Sequence, residues 1–242
     1  MRRTPAAAHA RTVHRAGTVD STQERAFALA AAGAPDGSVV VAETQTAGRG
    51  RRGRRWQDEA GASLLVSLVI RPRLAPPAQP LLSYAAAVAV VDTLRRATGL
   101  EARVKWPNDV LVGGRKVAGI LLEARDGVVV IGIGLNVGQQ RFPSGLAGRA
   151  TSVALETGRP EDREAVLAVL LEELDRWRGV LERDGFEPVR VRWRAAADTL
   201  GRTIRVDGAA GVAVDLDATG ALVVDEGGER RRVVAGELSE EG

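Results

Sequence analysis

The sequence predicts an α/β fold of the α+β kind: a mixed-sheet domain over residues 16–197, then a small β-barrel over 198–242. Three observations predict it. Strand-like runs between residues 38 and 137 gather into hairpins rather than alternating strictly with helices, which favours a mixed or antiparallel sheet. Two long segments, Leu81–Ala97 and Arg159–Arg183, carry apolar residues at helical spacing. After Asp198 the chain changes to short, evenly spaced β-rich runs split by Gly- and Asp-containing turns.

In chain order, residues 1–15 are rich in Ala and Arg and read as a flexible lead. Ser21–Ala32 reads as a helix capped by Ser21 or Asp20. Ser38–Ala42 and Ser63–Ile70 read as strands, and the Gly- and Arg-dominated stretch 43–58 between them forms no regular buried element. Pro72–Pro80 is a turn-rich connection into the buried helix Leu81–Ala97. Four strands follow: Ala102–Trp106, Val110–Val112, Lys116–Glu123 and Val128–Val137. Gly113-Gly114 and Asp126-Gly127 turn the last three into hairpins. Residues 139–157 read as irregular, Arg159–Arg183 as a helix, and Glu187–Ala197 as a second, short one. Arg202–Asp207, Gly211–Asp215, Ala221–Asp225 and Arg230–Ala235 are the strands of the small barrel.

A chain of 242 residues, 45% hydrophobic and 27% charged, has the composition of a soluble globular protein. It contains no Cys, which excludes disulfides, thiolate metal sites and Cys nucleophiles. The Arg-bearing N-terminus is not followed by an apolar run, and no stretch approaches a membrane span, so a cytoplasmic protein without a membrane partner is expected. The net charge is +3, with 32 Arg against two Lys, Lys105 and Lys116. There are two Asn, Asn108 and Asn136. In a composition that avoids both residue types, the few present point to chemistry.

The most informative segment is Gln45-Thr46-Ala47-Gly48-Arg49-Gly50-Arg51-Arg52-Gly53-Arg54-Arg55-Trp56, with five Arg within seven positions and three Gly among them. Gly lets a ligand approach the backbone closely, and successive N–H groups form an anion-binding concavity. Arg adds bidentate donors for phosphate or carboxylate. Such a loop suits two anions that must meet. At about 4 Å and an effective dielectric near 20, two unit charges repel by roughly 4 kcal/mol. A solvated Arg/Gly segment that binds RNA, or a non-specific nucleic-acid patch, would have the same composition. The position between two strands of a folded domain argues against both. No Gly-Lys-Ser/Thr follows, so the loop is not a Walker A motif.

Both Lys and both Asn fall in three strand-end segments downstream. Lys105-Trp106-Pro107-Asn108-Asp109 turns after a strand and, alone, is an ordinary β-turn. Lys116 stands at the mouth of a buried strand, where a lysine can neutralise a transferring phosphoryl or acyl oxygen. Gly132-Ile133-Gly134-Leu135-Asn136 ends another strand. Its Gly permit close approach, and its Asn offers a paired donor and acceptor to an adenine edge. It opens no helix, which rules out a Rossmann reading.

Taken together, Gly48–Trp56, Lys105–Asp109, Lys116–Leu121 and Gly132–Val137 resemble the signature segments of biotin–protein ligases, in the family's order and approximate spacing. Gly236–Ser239 resembles the family's C-terminal ending, and the resemblance covers roughly residues 18 to 239. It implies a catalytic domain of the biotin/lipoate ligase type followed by an SH3-like barrel. It implies that ATP activates biotin to biotinyl-5′-AMP with Mg²⁺ present, and that a lysine of a biotin carboxyl carrier domain then takes the biotin. Lys116, Arg51 and Asp109 are the implied catalytic set. Ser21, Thr22, Gln23, Gln45, Arg49, Gly50, Arg51, Lys116, Gly119 and Gly134 are the implied biotin site. Gln23 departs from the Ser-Thr-Asn of many relatives. Gly48, Arg49, Arg51, Arg54, Trp56, Lys116, Asn108 and Asn136 are the implied ATP site, with Asn136 reading adenine and Trp56 covering the nucleotide. Glu237 is implied to reach the site from the barrel. The resemblance leaves the Mg²⁺ ligands open. It implies a monomer or weak homodimer. Only about twenty residues precede Ser21, too few for a helix-turn-helix module, so no DNA-binding domain is expected. The alternatives are a lipoate–protein ligase, whose Arg/Gly signature differs and includes a His absent here, and an RNA-binding protein.

Overall fold

The protein is described by a computed structural model over residues 11–236 and 238–240. In order it forms β1 (Val13–Val19), α1 (Thr22–Ala31), β2 (Val39–Gln45), β3 (Ser63–Ile70), α2 (Leu81–Thr98), β4 (Ala102–Lys105), β5 (Asp109–Val112), β6 (Arg115–Arg125) and β7 (Val128–Asn136). Then come α3 (Val153–Thr157), α4 (Arg163–Asp184), α5 (Phe186–Ala196), β8 (Thr203–Val206), β9 (Ala209–Leu216), β10 (Leu222–Asp225), β11 (Arg230–Val233) and β12 (Ser239–Glu240).

The first seven strands make one mixed sheet in the order β1-β2-β3-β7-β6-β5-β4. β1 and β2 run parallel; the other neighbouring pairs are antiparallel. The last five strands make a separate antiparallel sheet in the order β11-β10-β9-β8-β12. The mixed sheet and the small all-β unit are as the sequence predicts.

Two expectations need correction. The flexible lead was expected to run to residue 15, but β1 begins at Val13; residues 1–10 lie outside the described residues. Val13 to Val19 take a register on Val39 to Gln45, so β2 supplies the pairing that the local Arg- and Ala-rich sequence does not advertise. The stretch 139–157, expected to be irregular, contains α3. Ser152 caps that helix by accepting from Leu155 N. β12, which pairs with β8, was not anticipated.

Alternation along β7 sets the cleft. Its odd positions Val129, Ile131, Ile133 and Leu135 join the main core under α2, α4 and α5. Its even positions face the side that carries α1. Val128 and Val130 pack with Ala26, Phe27 and Ala30 of that helix. The same face then reads Gly132, Gly134, Asn136, so β7 itself raises no large side chain beyond the N-terminus of α1. The hollow therefore starts where α1 stops. Among the described residues no helix is long and apolar enough to cross a membrane.

Candidate active site

The predicted site residues, Gly48 excepted, line one cleft of about 1090 Å³ on this open face. Gly48 lies in the smaller hollow behind the Arg/Gly loop.

At one end Ser21 caps α1, its Oγ accepting from Gln23 N at 3.2 Å. Thr22 donates from both its backbone N and its hydroxyl to Gln45 Oε1, at 2.8 and 3.1 Å. Gln23 Nε2 donates to the Val130 carbonyl at 3.1 Å, and its Oε1 sits 3.2 Å from Ser67 Oγ. The extra methylene of Gln23 is housed above Gly132, where a Cβ would overlap its amide oxygen. Ser67 also donates to Thr22 Oγ1 at 2.9 Å. Sequence reasoning missed Ser67; its signal is a buried serine in the otherwise apolar run SLLVSLVI.

The Arg/Gly loop folds over this end. Gly50 N donates to Arg54 O at 2.7 Å and Trp56 N to Gly48 O at 3.0 Å, which closes the loop on itself. Arg49 does not point at the cleft with a free guanidinium. Its Nη2 bridges Glu24 Oε1 and Glu123 Oε2 at 2.6 and 2.7 Å, clasping the loop to α1 and β6. Arg51 Nη1 reaches Asn108 Oδ1 at 3.5 Å. Burial lowers the Arg51 pKa, opposed by the nearby Tyr84 and Asp109.

Trp56 lies across the floor. A Cβ at Gly134 would overlap its indole, and one at Gly119 would come within 3.2 Å. Gly119 and Gly134 are register partners on β6 and β7, so two strands leave one flat seat for the ring. The Trp56 Nε1 is buried with no hydrogen-bond partner. Lys116 Nζ stands 5.7 Å from the Trp56 ring centroid and 2.7 Å from Asp109 Oδ1. The Lys105–Asp109 turn is thus more than a β-turn. It carries Asp109 to Lys116, and Asn108 to Arg51 and to the Ile120 backbone, which accepts from Asn108 Nδ2 at 2.7 Å. At the far end Asn136 is buried and its Nδ2 donates to the Thr151 carbonyl at 3.0 Å. Arg54 lines the cleft; Glu237 lies outside the described residues.

A cationic loop over a cleft, with a lysine–aspartate pair on its floor and a buried amide beyond, can hold two anions and a flat base together. Residues 16–139 match the biotin/lipoate A/B protein ligase family, and residues 199–239 match the biotin protein ligase C-terminal domain.

The chain belongs to this ligase family.

It is 40% identical over 233 residues to a biotin–[acetyl-CoA-carboxylase] ligase of Paracoccus denitrificans, covering 90% of this chain and 96% of that one. It is 39% identical over 219 residues to a bifunctional ligase/repressor of Bacillus spizizenii, covering 86% of this chain and 67% of that one. The biotin protein ligase of Aquifex aeolicus in complex with biotin and ATP superposes with a TM-score of 0.86 at 28% identity, over 94% of this chain and 97% of that one. As a member of the biotin ligase family the chain is an enzyme, a ligase.

Proposed function

We propose that this ligase activates biotin with ATP to biotinyl-5′-AMP and pyrophosphate, then transfers biotin to a lysine of a biotin carboxyl carrier domain. The observation that carries the reading is the Gly48–Trp56 loop, which brings Arg51 and Arg54 to the same cleft whose floor holds Lys116. Relatives named as biotin ligases at about 40% identity favour biotin over lipoate.

In the first step a carboxylate oxygen of biotin attacks the α-phosphorus of ATP, the new O–P bond forms, and pyrophosphate leaves. Biotin's polar head meets Ser21, Thr22, Gln23 and Gln45 at the N-terminus of α1, whose N–H groups favour acceptors. Gly119 and Gly134 let the Trp56 ring lie flat on the sheet, and the acyl chain runs along that ring. Lys116 lies where the carboxylate and α-phosphate converge and offsets their charge, with Asp109 fixing its ammonium. Arg51 and Arg54 neutralise phosphate oxygens, and Trp56 offers a ring face to the nucleotide. In the second step the acceptor amine attacks the acyl carbon, the mixed anhydride breaks, and AMP leaves with the electron pair. Magnesium fits as the ion carried by the triphosphate. Such ions take one or two carboxylates; the carboxylates lining the cleft are Asp109, paired with Lys116, and Asp198, paired with Arg202.

Transfer of labelled biotin to a carrier domain tests this reading. Labelling that needs ATP and disappears when the carrier's acceptor lysine is replaced by arginine supports it. Labelling that persists on that variant removes it.

A further inference from the structure

We propose that Gln139 sets the nucleotide preference of this site by fixing which way the Asn136 amide faces. The proposal rests on the reading of Asn136 as the residue that meets the base.

Gln139 is 3% exposed and does not itself line the cleft; Asn136, 4% exposed, does. The Gln139 Nε2 donates to Asn136 Oδ1 at 3.1 Å and also to Ser63 Oγ. Asn136 Nδ2 donates to the Thr151 carbonyl at 3.0 Å. The backbone of Gln139 is held in turn, because its main-chain carbonyl accepts from Ser152 Oγ at 2.6 Å, while its side-chain Oε1 is buried without a hydrogen-bond partner. The Asn136 amide is therefore pinned at both atoms. Turned over, it would set Nδ2 against the Gln139 donor and Oδ1 against the Thr151 carbonyl.

Pinning leaves one lone pair on Oδ1 and one N–H on Nδ2. Adenine answers that pattern, with an amine donor at N6 and an acceptor at N7. Guanine carries an acceptor, O6, where adenine carries its amine, and would set it against Oδ1. With Gln139 replaced, the Thr151 carbonyl alone holds the amide, and an amide held at one atom turns more readily to meet guanine. Gln139 thus acts through Asn136 as a positioning residue, and its effect falls on the choice of base rather than on the chemical step.

The test compares kcat/KM for ATP and GTP in biotin-dependent pyrophosphate exchange, in the full chain and in Gln139→Leu, Gln139→Met, Gln139→Glu and Asn136→Ala. The ATP-to-GTP ratio is expected to fall roughly ten-fold in Gln139→Leu and Gln139→Met. The change should lie in nucleotide KM, with KM for biotin unmoved. It should fall furthest in Gln139→Glu, whose carboxylate repels Oδ1. Should the leucine variant fail to fold, the methionine and glutamate variants read the same ratio. Equal losses with both nucleotides, or an unmoved ratio, overturn the proposal. If Asn136→Ala shifts the ratio while the Gln139 variants do not, only the role of Gln139 falls. If Asn136→Ala leaves the ratio unmoved, the reading of Asn136 falls and the proposal with it.

Discussion

Lys116 is a cation on the cleft floor. Its ammonium is paired with Asp109 at 2.7 Å, and its backbone bonds to Arg149 and Thr151, so the strand does not depend on the side chain. Lys116→Ala should slow biotin-dependent pyrophosphate exchange by about 100-fold or more, the range for losing one preorganised charge partner, while circular dichroism and Tm stay near the parent. Near-parent exchange would remove Lys116 from the mechanism. Arg51 reaches the far wall at Asn108 and lies over the cleft. Arg51→Gly should therefore let biotinyl-AMP escape early, seen as adenylate in filtrate rather than bound to protein; unchanged retention would contradict this. Lys116, Arg51 and Trp56 were legible because rare residue types and an Arg/Gly loop mark them in one dimension. The pairing of Asn136 with Gln139 and Thr151 was not. It depends on a return of the chain that no local pattern encodes.

Among the elements, the Arg/Gly loop and its clasp connect sequence to function. Five Arg in seven positions repel one another, so holding the loop down requires acidic partners. Glu24 of α1 and Glu123 of β6 supply them through Arg49. Both pairs are partly exposed, and each is worth less than about 1 kcal/mol. Glu24→Gln combined with Glu123→Gln should raise tryptic cleavage in the loop several-fold and leave global stability almost unchanged; unchanged cleavage would show that the backbone bonds of the loop hold it alone. Strands and their hairpin turns were well read, since alternation and paired turn residues such as Asp126-Gly127, both at positive φ, are local signals. β1 escaped because an edge strand with one solvated face and a parallel partner has neither a continuous apolar run nor a turn to mark it.

For the whole molecule, the small sheet is docked to the catalytic domain through Tyr84. Its hydroxyl donates to the Gly220 carbonyl and accepts from Trp106 Nε1 at 3.2 Å, while Trp106 N donates to Thr199 Oγ1 at 2.8 Å. Burial raises the Tyr84 pKa to about 12. Tyr84→Phe strands a buried carbonyl and an indole N–H, so denaturant unfolding should show a loss of about 1–3 kcal/mol. A smaller loss would mean that packing alone joins the two parts. The turn that presents Gly220 is built on Asp217, which accepts from Thr219 N, Ala221 N and Arg232. Burial alone would raise its pKa. The Arg232 and Thr219 bonds outweigh that and hold the carboxylate at about 2, below its ordinary 3.8. A depressed pKa stabilises the fold above the unfolded value, and that contribution is lost as pH falls through the folded one. Asp217→Asn should therefore lower Tm near neutral pH, and the gap should close between about pH 4 and pH 2. A pH-independent gap would contradict the ion pair.

In the proposed reaction the Arg/Gly loop, Lys116 and the glycine floor together activate biotin. Pyrophosphate exchange into ATP, run with biotin and with lipoate side by side, measures it most directly. Exchange that requires biotin and does not proceed with lipoate is the predicted result; exchange supported by lipoate and not by biotin would contradict it.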